Sequence, residues 1–293
     1  MEGKTEIKIA PEISVYKPVP VYSLVSIRNL YTIYHMTYAD GFVFPGERHD
    51  FWELAFVRSG ECTITSEDRV YHCTRGDVIL HAPKWFHSIR VEEGASCKLF
   101  TVSFDGMGLS TQIMGGHYRS TEEEEHTVGL ILKELFTLFG EQDETEFTRF
   151  FSSVSVDNVG LQIIKSLIEL ICLSLIRRGE DARISPSKDP TASCYTRIMS
   201  FMRDNIDRNL TLNDICLGVY ESPGKVKAIF HRFTGGGIMQ HFNHLRVSRV
   251  ISLLSSGKSV KEISQLLDFS SPYYLSYFFK RETGMTIREY KGR

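Results

Sequence analysis

SPGKVKAIFHRFTG (222–235) and SPYYLSYFFKRETG (271–284) are two copies of one pattern, 49 residues apart. Both open on Ser-Pro, carry a branched apolar residue fifth, Phe ninth and Arg eleventh, and close on Thr-Gly. Ser followed by Pro is an N-cap and first-turn signature, and Gly beyond the last turn closes a helix. The pattern therefore predicts helices over about 223–234 and 272–283. Each copy follows a shorter helix with its own start signal: Thr211 with Asp214 in TLND, and Ser259 with Glu262 in SVKE, a capping box. Ile215 and Ile263 fall at matching core positions, and residues 238–256 read as a joining helix stopped by Gly257. Two helix-turn-helix units follow.

A joining helix of about 18 residues is roughly 27 Å long, close to the roughly 34 Å between successive major grooves on one face of B-DNA. Charge points the same way. From Thr191 onward there are 15 Lys+Arg and 8 Asp+Glu, a net of +7, while the preceding 190 residues carry 19 and 28, a net of −9. An acidic body fused to a basic tail is expected when one part meets nucleic acid and the other does not.

The body is of another class. Over residues 21–104, VYSLVSI, LYTIYHMTY, WELAFVRSG, ECTITS, RVYHC, DVILHAP and CKLFTVSF are short runs rich in Val, Ile, Tyr and Phe between turn residues. They predict a β-sandwich or barrel. From residue 121 the period becomes helical: Leu130, Ile131, Leu135, Leu138 and Phe139 form one stripe, and Ile164, Leu167, Ile168, Ile171 and Leu175 another. The run Glu122 to Glu125 reads as a solvated helix start favoured by the dipole. DARISPSKDPTAS (181–193) reads as a linker. The fold class is thus α+β and multidomain: an arm over 1–20, a barrel over 21–118, a helical dimerisation region over 119–180, a linker over 181–192, and an all-α DNA-binding domain over 193–293.

The N-terminal segment has no apolar stretch with a small-residue cleavage site, so no secretory signal is expected. The apolar stretch 161–176 is interrupted by Lys165 and Glu169 and reads as too short to span a bilayer. Six cysteines (62, 73, 97, 172, 194, 216) without a Cys-x-x-Cys pair read as reduced thiols of a cytoplasmic protein. Cys62 and Cys73 are candidate strand neighbours.

IREYKGR, LLSSGKSVKEISQLLDFSSPYYLSYFFKRETGMT and the paired units resemble the AraC/XylS family of bacterial transcription regulators. The likeness is most specific over the last hundred residues and extends to the barrel, which is similar to the cupin-type effector domain of that family. It implies double-stranded DNA and a small-molecule effector, a sugar among the candidates, as partners, with a homodimer, RNA polymerase as a further candidate partner, no membrane and no cofactor. The sequence departs from the family at Cys216 and Ser264, where a small residue is usual, at Asp268 for Gly, and at Ile287 for Pro. All four read as packing positions.

On the two recognition helices Val226, Ile229, Phe230, Leu275, Phe278 and Phe279 must face the core. That leaves Lys225, Lys227 and Ala228 on the first, beside Gly224, and Tyr273, Tyr274, Ser276, Tyr277 and Lys280 on the second, to face DNA. Neither exposed N-terminal half carries the Arg, Asn or Gln that usually reads bases, so backbone and shape readout take a larger share. Lys227 is the candidate for a guanine edge, and Tyr273 and Tyr277 for a thymine methyl or a phosphate. Arg232, Lys258, Lys280 and Arg281 are candidate phosphate contacts. Arg246 and Arg249 lie on the joining helix. Arg246 aligns with an arginine typical of the family and reads equally as a DNA contact or an ion-pairing brace.

In ERHDFWELAFVRSG, His49 and Glu53 are four apart on a predicted strand and so share a face. By the cupin likeness, Gly60 follows at the usual spacing, His87 stands where a further ligand is supplied, and Glu47 replaces a first His. Glu47, His49, Glu53 and His87 are therefore an alternative divalent-metal set, which would make the barrel a metal-dependent enzyme with a DNA-binding tail. The preferred reading is a metal-free effector pocket of Arg28, Tyr34, His49, Phe51, Glu53, Trp85 and His87. Tyr31, Tyr38, Trp52 and Phe86 are further aromatic walls, and Arg58 a further anchor. A third reading is a constitutive DNA binder whose barrel only dimerises. His35, His72 and His81 read as structural.

Overall fold

The computed structural model describes residues 18–109, 113, 115–139, 147–150 and 158–292; residues 1–17 of the expected arm lie outside them. The barrel strands are β1 (Ser26–Ala39), β2 (Val43–Glu47), β3 (Trp52–Ser66), β4 (Arg69–Thr74), β5 (Asp77–His81), β6 (His87–Arg90), β7 (Ser96–Met107), β8 (Gly116–Arg119) and β9 (Phe147–Phe150). They run β2-β6-β3-β7-β1-β9, with β4 on β3 and β5 between β3 and β8. The run expected as a strand from Val21 becomes one only at Ser26, and Val21, Tyr22 and Leu24 are exposed.

β3 serves both halves of the barrel. Its first part pairs with β7 and β5, and its second with β4 and β6. The change falls at Gly60, where φ is +71° and a Cβ would sit 1.8 Å from the Ser96 carbonyl oxygen. Only glycine allows both this backbone and this approach. Alternation along β3 then sorts its side chains. Trp52, Leu54 and Phe56 join the outer core, while Glu53 turns inward beside His81 and His87. Cys62 and Cys73 are cross-strand partners, and all six thiols are free and buried.

Helices α1 (Glu122–Phe139) and α2 (Asn158–Arg178) cover that outer face. Val128, Ile131 and Leu135 of α1 and Ile164, Ile168, Ile171 and Leu175 of α2 are buried with Trp52, Leu54 and Phe104. Leu130, part of the stripe read from the sequence, points outward, while Val128, Ile131 and Leu135 face the core. The acidic start of α1 is not simply solvated either. Glu124 is buried and accepts twice from the Arg178 guanidinium at 2.9 Å, and Glu125 pairs with Arg58. By length and composition α2 is apolar enough to cross a membrane over Val159–Arg178, longer than the 161–176 stretch suggested. Here one face is core, and its Glu169 accepts the Ile27 backbone N–H at 2.8 Å.

The tail starts with α3 (Pro190–Asp204), capped by Asp189 inside the stretch expected as linker. The first unit adds α4 (Leu212–Val219) and α5 (Pro223–Thr234), α6 (Ile238–Ser255) joins, and the second has α7 (Val260–Leu266), α8 (Pro272–Thr283) and α9 (Ile287–Lys291). Capping boxes form at Thr211–Asp214 and Ser259–Glu262, Ser222 and Ser271 cap α5 and α8, and Gly235 and Gly284 close them in left-handed backbone. Each unit has its own core, Tyr195, Ile198, Ile215, Val226 and Phe230 in one and Val250, Ile263, Leu275, Phe278 and Phe279 in the other. Cys216 and Ser264 are buried packing positions as expected. Asp268 differs: its φ of +50° makes it a left-handed turn position, which explains why glycine is usual there.

Candidate functional site

Both recognition helices present exposed residues. Lys225, Lys227 and Ala228 on α5, and Tyr273, Tyr274, Ser276, Tyr277, Lys280 and Arg281 on α8, are all exposed, as are Arg249 and Lys258. Several cations already have partners within their unit: Lys225 with Glu221 at 2.8 Å, Lys258 with Glu262 at 3.6 Å, and Arg281 with Glu282. A cleft of about 620 Å³ on the second unit is lined by Tyr273, Tyr277, Lys280, Arg288 and Lys291. Arg288 and Lys291 were missed as candidates. Their signal was present in IREYKGR, but only α9 folding beside α8 puts them on that face.

Two arginines expected at DNA are engaged elsewhere. Arg246 is 3% exposed and spans the units. It donates to Asn209 Oδ1 at 3.2 Å in the first and to the Leu267 carbonyl in the second, and its guanidinium lies 4.0 Å from the Phe269 ring centre. Burial lowers its pKa. It is the brace, not a DNA contact. Arg232 turns toward the barrel and pairs with Glu92 at 3.1 Å, both side chains about half exposed.

That docking is extensive. The last carbonyls of α5 lack intrahelical donors, and β6 supplies them. Ser88 Oγ donates to the Phe233 carbonyl at 2.5 Å, and Arg90 donates twice to that of Arg232 at 3.0 and 3.2 Å. Arg203 of α3 reaches Asp68 at 2.7 Å and Glu67 at 3.1 Å, and the Tyr195 hydroxyl donates to the Glu67 carbonyl at 2.8 Å. Arg48, just after β2, contacts Nε2 of the buried His241 at 3.1 Å.

Inside the barrel the strands gather Glu47, His49, Glu53 and His87, whose ligand-type atoms all lie within 4.8 Å of one another. Glu53 is buried and accepts from Ser103 Oγ at 3.0 Å, and Ser103 accepts in turn from Thr32 at 2.8 Å. Its carboxylate lies 3.7 Å from His49 Nε2 and 3.4 Å from His87 Nε2. Burial works against the Glu53 charge, but His49, His87 and His81 outweigh it and hold the carboxyl at about 2. Burial likewise opposes the His49 imidazolium, and the Glu53 carboxylate and Phe51 carbonyl raise it on balance. His81, read as merely structural, stacks on His87 with ring centres 4.4 Å apart, and burial pushes its pKa well below the ordinary value.

The other pocket candidates divide. Phe51 lies stacked between His49 (3.9 Å) and Tyr31 (4.2 Å). Tyr34 is half-buried, and burial, with Glu47 and Glu53 nearby, raises its phenol. Trp85 contributes its carbonyl to His87, while its ring packs over Gly115. Arg28 is exposed and reaches Met107, and Arg58 pairs with α1, so neither anchors a ligand beside Glu53. Trp52 is outer core. A cleft of about 380 Å³ opens at Glu47 between β2 and the α5–α6 turn, lined by Pro45, Arg48, Phe86, Gly235, Gln240 and His244.

Residues 29–153 match the AraC-like ligand binding domain and residues 219–293 a helix-turn-helix domain. The chain is 24% identical over 238 residues to the uncharacterized HTH-type transcriptional regulator YfiF of Bacillus subtilis (strain 168), covering 79% of this chain and 74% of that one. It is 23% identical over 251 residues to the HTH-type transcriptional activator RhaR of Mannheimia succiniciproducens, covering 85% and 88%. Among solved structures, unsaturated fatty acid bound ToxT from Vibrio cholerae is 16% identical with a TM-score of 0.34, covering 91% and 94%.

Proposed function

Because the chain belongs to the AraC family of DNA-binding transcription regulators, we propose that it is a cytoplasmic regulator whose barrel takes a small, sugar-like effector and passes its presence to the first helix-turn-helix unit. One observation carries this reading. The strands that hold Glu47 and His87 also hold the docking contacts. On β6, His87 faces the polar cluster while Ser88 and Arg90 bind the end of α5. At β2, Glu47 faces the same cluster while Pro45 packs against Gly235 and Arg48 reaches His241. A ligand that draws Glu47 or His87 inward shifts the neighbouring residues on the same short strands, and with them α5.

The effector pocket in this reading comprises Tyr34, His49, Phe51, Glu53 and His87, reached past Glu47. The hydroxyls of a sugar suit these acceptors and donors, and the Phe51 ring suits its apolar face. On DNA, Lys227 reads a base edge with help from Tyr273 and Tyr277, while Lys225, Arg249, Lys258, Lys280 and Arg281, with Arg288 and Lys291, take phosphates. Ile163, Leu170 and Leu173 of α2 and Leu130 of α1 form an exposed apolar strip, which suits a homodimer that places four recognition helices on paired half-sites.

The test is to incubate the purified chain with fragments of its own genome and sequence what it retains. Enrichment at a few promoters is expected, and sugars and sugar acids that the products of neighbouring genes act on should then change the retained set and raise the melting temperature. Uniform, salt-sensitive retention that no such compound alters would refute effector control.

A further inference from the structure

The internal repeat builds the same cleft twice. In each unit it lies beside the recognition helix, between the first residue of the shorter helix before it and the first residue of the helix after it. In the first unit Leu212 and Ile238 stand at those two ends, with Lys227 and His231 of α5 between them. In the second, Val260 and Ile287 take the same places, with Ser276 and Lys280 of α8. An offset of 49 residues carries Lys227 onto Ser276, His231 onto Lys280, Ile238 onto Ile287 and Met239 onto Arg288. The clefts are also alike in size, about 650 Å³ and about 620 Å³. What differs is charge. The first cleft carries one ammonium, Lys227, beside His231 and the three glycines Gly235 to Gly237. The second carries three cations, Lys280, Arg288 and Lys291, around the exposed rings of Tyr273 and Tyr277.

Those three cations have no carboxylate partner among the described residues, whereas Lys258 and Arg281 of the same unit are engaged by Glu262 and Glu282. In the first unit Lys225 is held by Glu221, and Arg232 pairs with Glu92 of the barrel. When a recognition helix enters the major groove, a sugar-phosphate wall runs beside it. Lys and Arg on that wall fix a protein to DNA without reading its sequence. The barrel contacts, by contrast, fall on the first unit: Ser88 and Arg90 on α5, Asp68 on Arg203 of α3, and Arg48 on His241 at the start of α6. We propose that the second unit is the electrostatic anchor of the chain on DNA. It holds the duplex backbone through Lys280, Arg288 and Lys291 while the first unit is still docked on the barrel, and the first unit adds groove reading but little charge. The inference rests on the DNA-binding reading and adds a division of labour to it: an effector acts on the unit that discriminates, not on the unit that holds.

The experiment titrates the full-length chain, without effector, against a fluorescent duplex of random sequence and follows anisotropy between about 50 and about 200 mM salt. Each phosphate neutralised contributes about 0.9 to the slope of log affinity against log salt. Lys280→Ala, Arg288→Ala and Lys291→Ala combined should therefore flatten that slope by about 2.7. The matching pair in the first cleft, Lys227→Ala with His231→Ala, should flatten it by no more than about one. All five side chains are exposed, so both variants should keep the wild-type helical ellipticity. A folded triple variant whose slope stays within about 0.5 of wild type overturns the proposal. So does a first-cleft pair that flattens the slope as much as the triple does. In both outcomes the wild type still binds DNA; a wild type that binds no duplex at any of these salts refutes the DNA-binding reading itself, and the anchor with it.

Discussion

Replacing Arg246 by Ala should uncouple the two DNA-reading units. The side chain makes two charge-assisted hydrogen bonds, to Asn209 in one unit and the Leu267 carbonyl in the other, and stacks on Phe269 at 4.0 Å. Hydrogen bonds from a charged group are worth about 1.5 kcal/mol or more each, and a desolvated cation–π contact about 1–2 kcal/mol. Part of that sum offsets the cost of burying the guanidinium. A net loss of about 3 kcal/mol remains, because truncation strands a buried carbonyl and opens a hole at the junction. For a helical region of this size, that corresponds to a melting shift of roughly 12–24 °C. Urea unfolding followed by helical ellipticity measures it, with Arg246→Lys falling between the two because it keeps the charge but not the planar fork. In DNA titrations the variant should lose affinity for a site spanning two adjacent major grooves and keep that for a single groove. If Arg246→Ala unfolds within about 0.5 kcal/mol of wild type and still prefers the double site, the brace is refuted.

Other outcomes follow from the same contacts. Lys227→Ala should change preference at one base position, whereas Lys280→Ala should weaken all sequences and reduce the salt slope by about one, both read by titration at several salt concentrations. Gly235→Ala should loosen the first unit from the barrel, since its Cβ would stand 2.6 Å from Pro45 in backbone of φ +64°; faster proteolysis between residues 183 and 190 is the readout. Stability should also fall with pH. Burial, helped by Lys98 and Arg58, lowers His35 to about 4, and burial with Arg48 lowers His241 well below its ordinary value. Above about pH 6.5 both are neutral folded or unfolded. Below it the unfolded chain binds protons that the folded state refuses, so stability is lost as pH falls toward 4, by roughly 3 kcal/mol for His35 alone. Urea curves at pH 7 and 5 should show a smaller loss for His35→Gln, and an equal loss would contradict this assignment.

Much of the tail was legible from residue types a few positions apart. Capping boxes, Ser-Pro starts, closing glycines and the 3.6-residue stripe act within one helical turn, so Thr211–Asp214, Ser259–Glu262, α5 and α8 stand where their signals place them. His49 and Glu53 do meet, but not on one strand as their spacing suggested: His49 lies in the loop before β3, which begins at Trp52, and the loop brings its ring to 3.7 Å from Glu53. Where such rules were stretched to non-local questions they failed. Glu124 looked solvated because Arg178 is 54 residues away.

What the sequence by itself determined is therefore the twin helix-turn-helix tail, its exposed basic face and the β character of the acidic body. Only the tertiary structure decided which groups meet inside the barrel and which arginines remain for DNA. The physical reason is register. A strand exchanges its two faces on a shift of one residue, so whether Arg28 or Ser103 stands beside Glu53 depends on how β1, β3 and β7 pair, not on any single run. Arg232 and Arg246 likewise carry no local mark of their roles. Their partners, Glu92, Asn209 and Leu267, come within reach only when the barrel and both units have closed on one another.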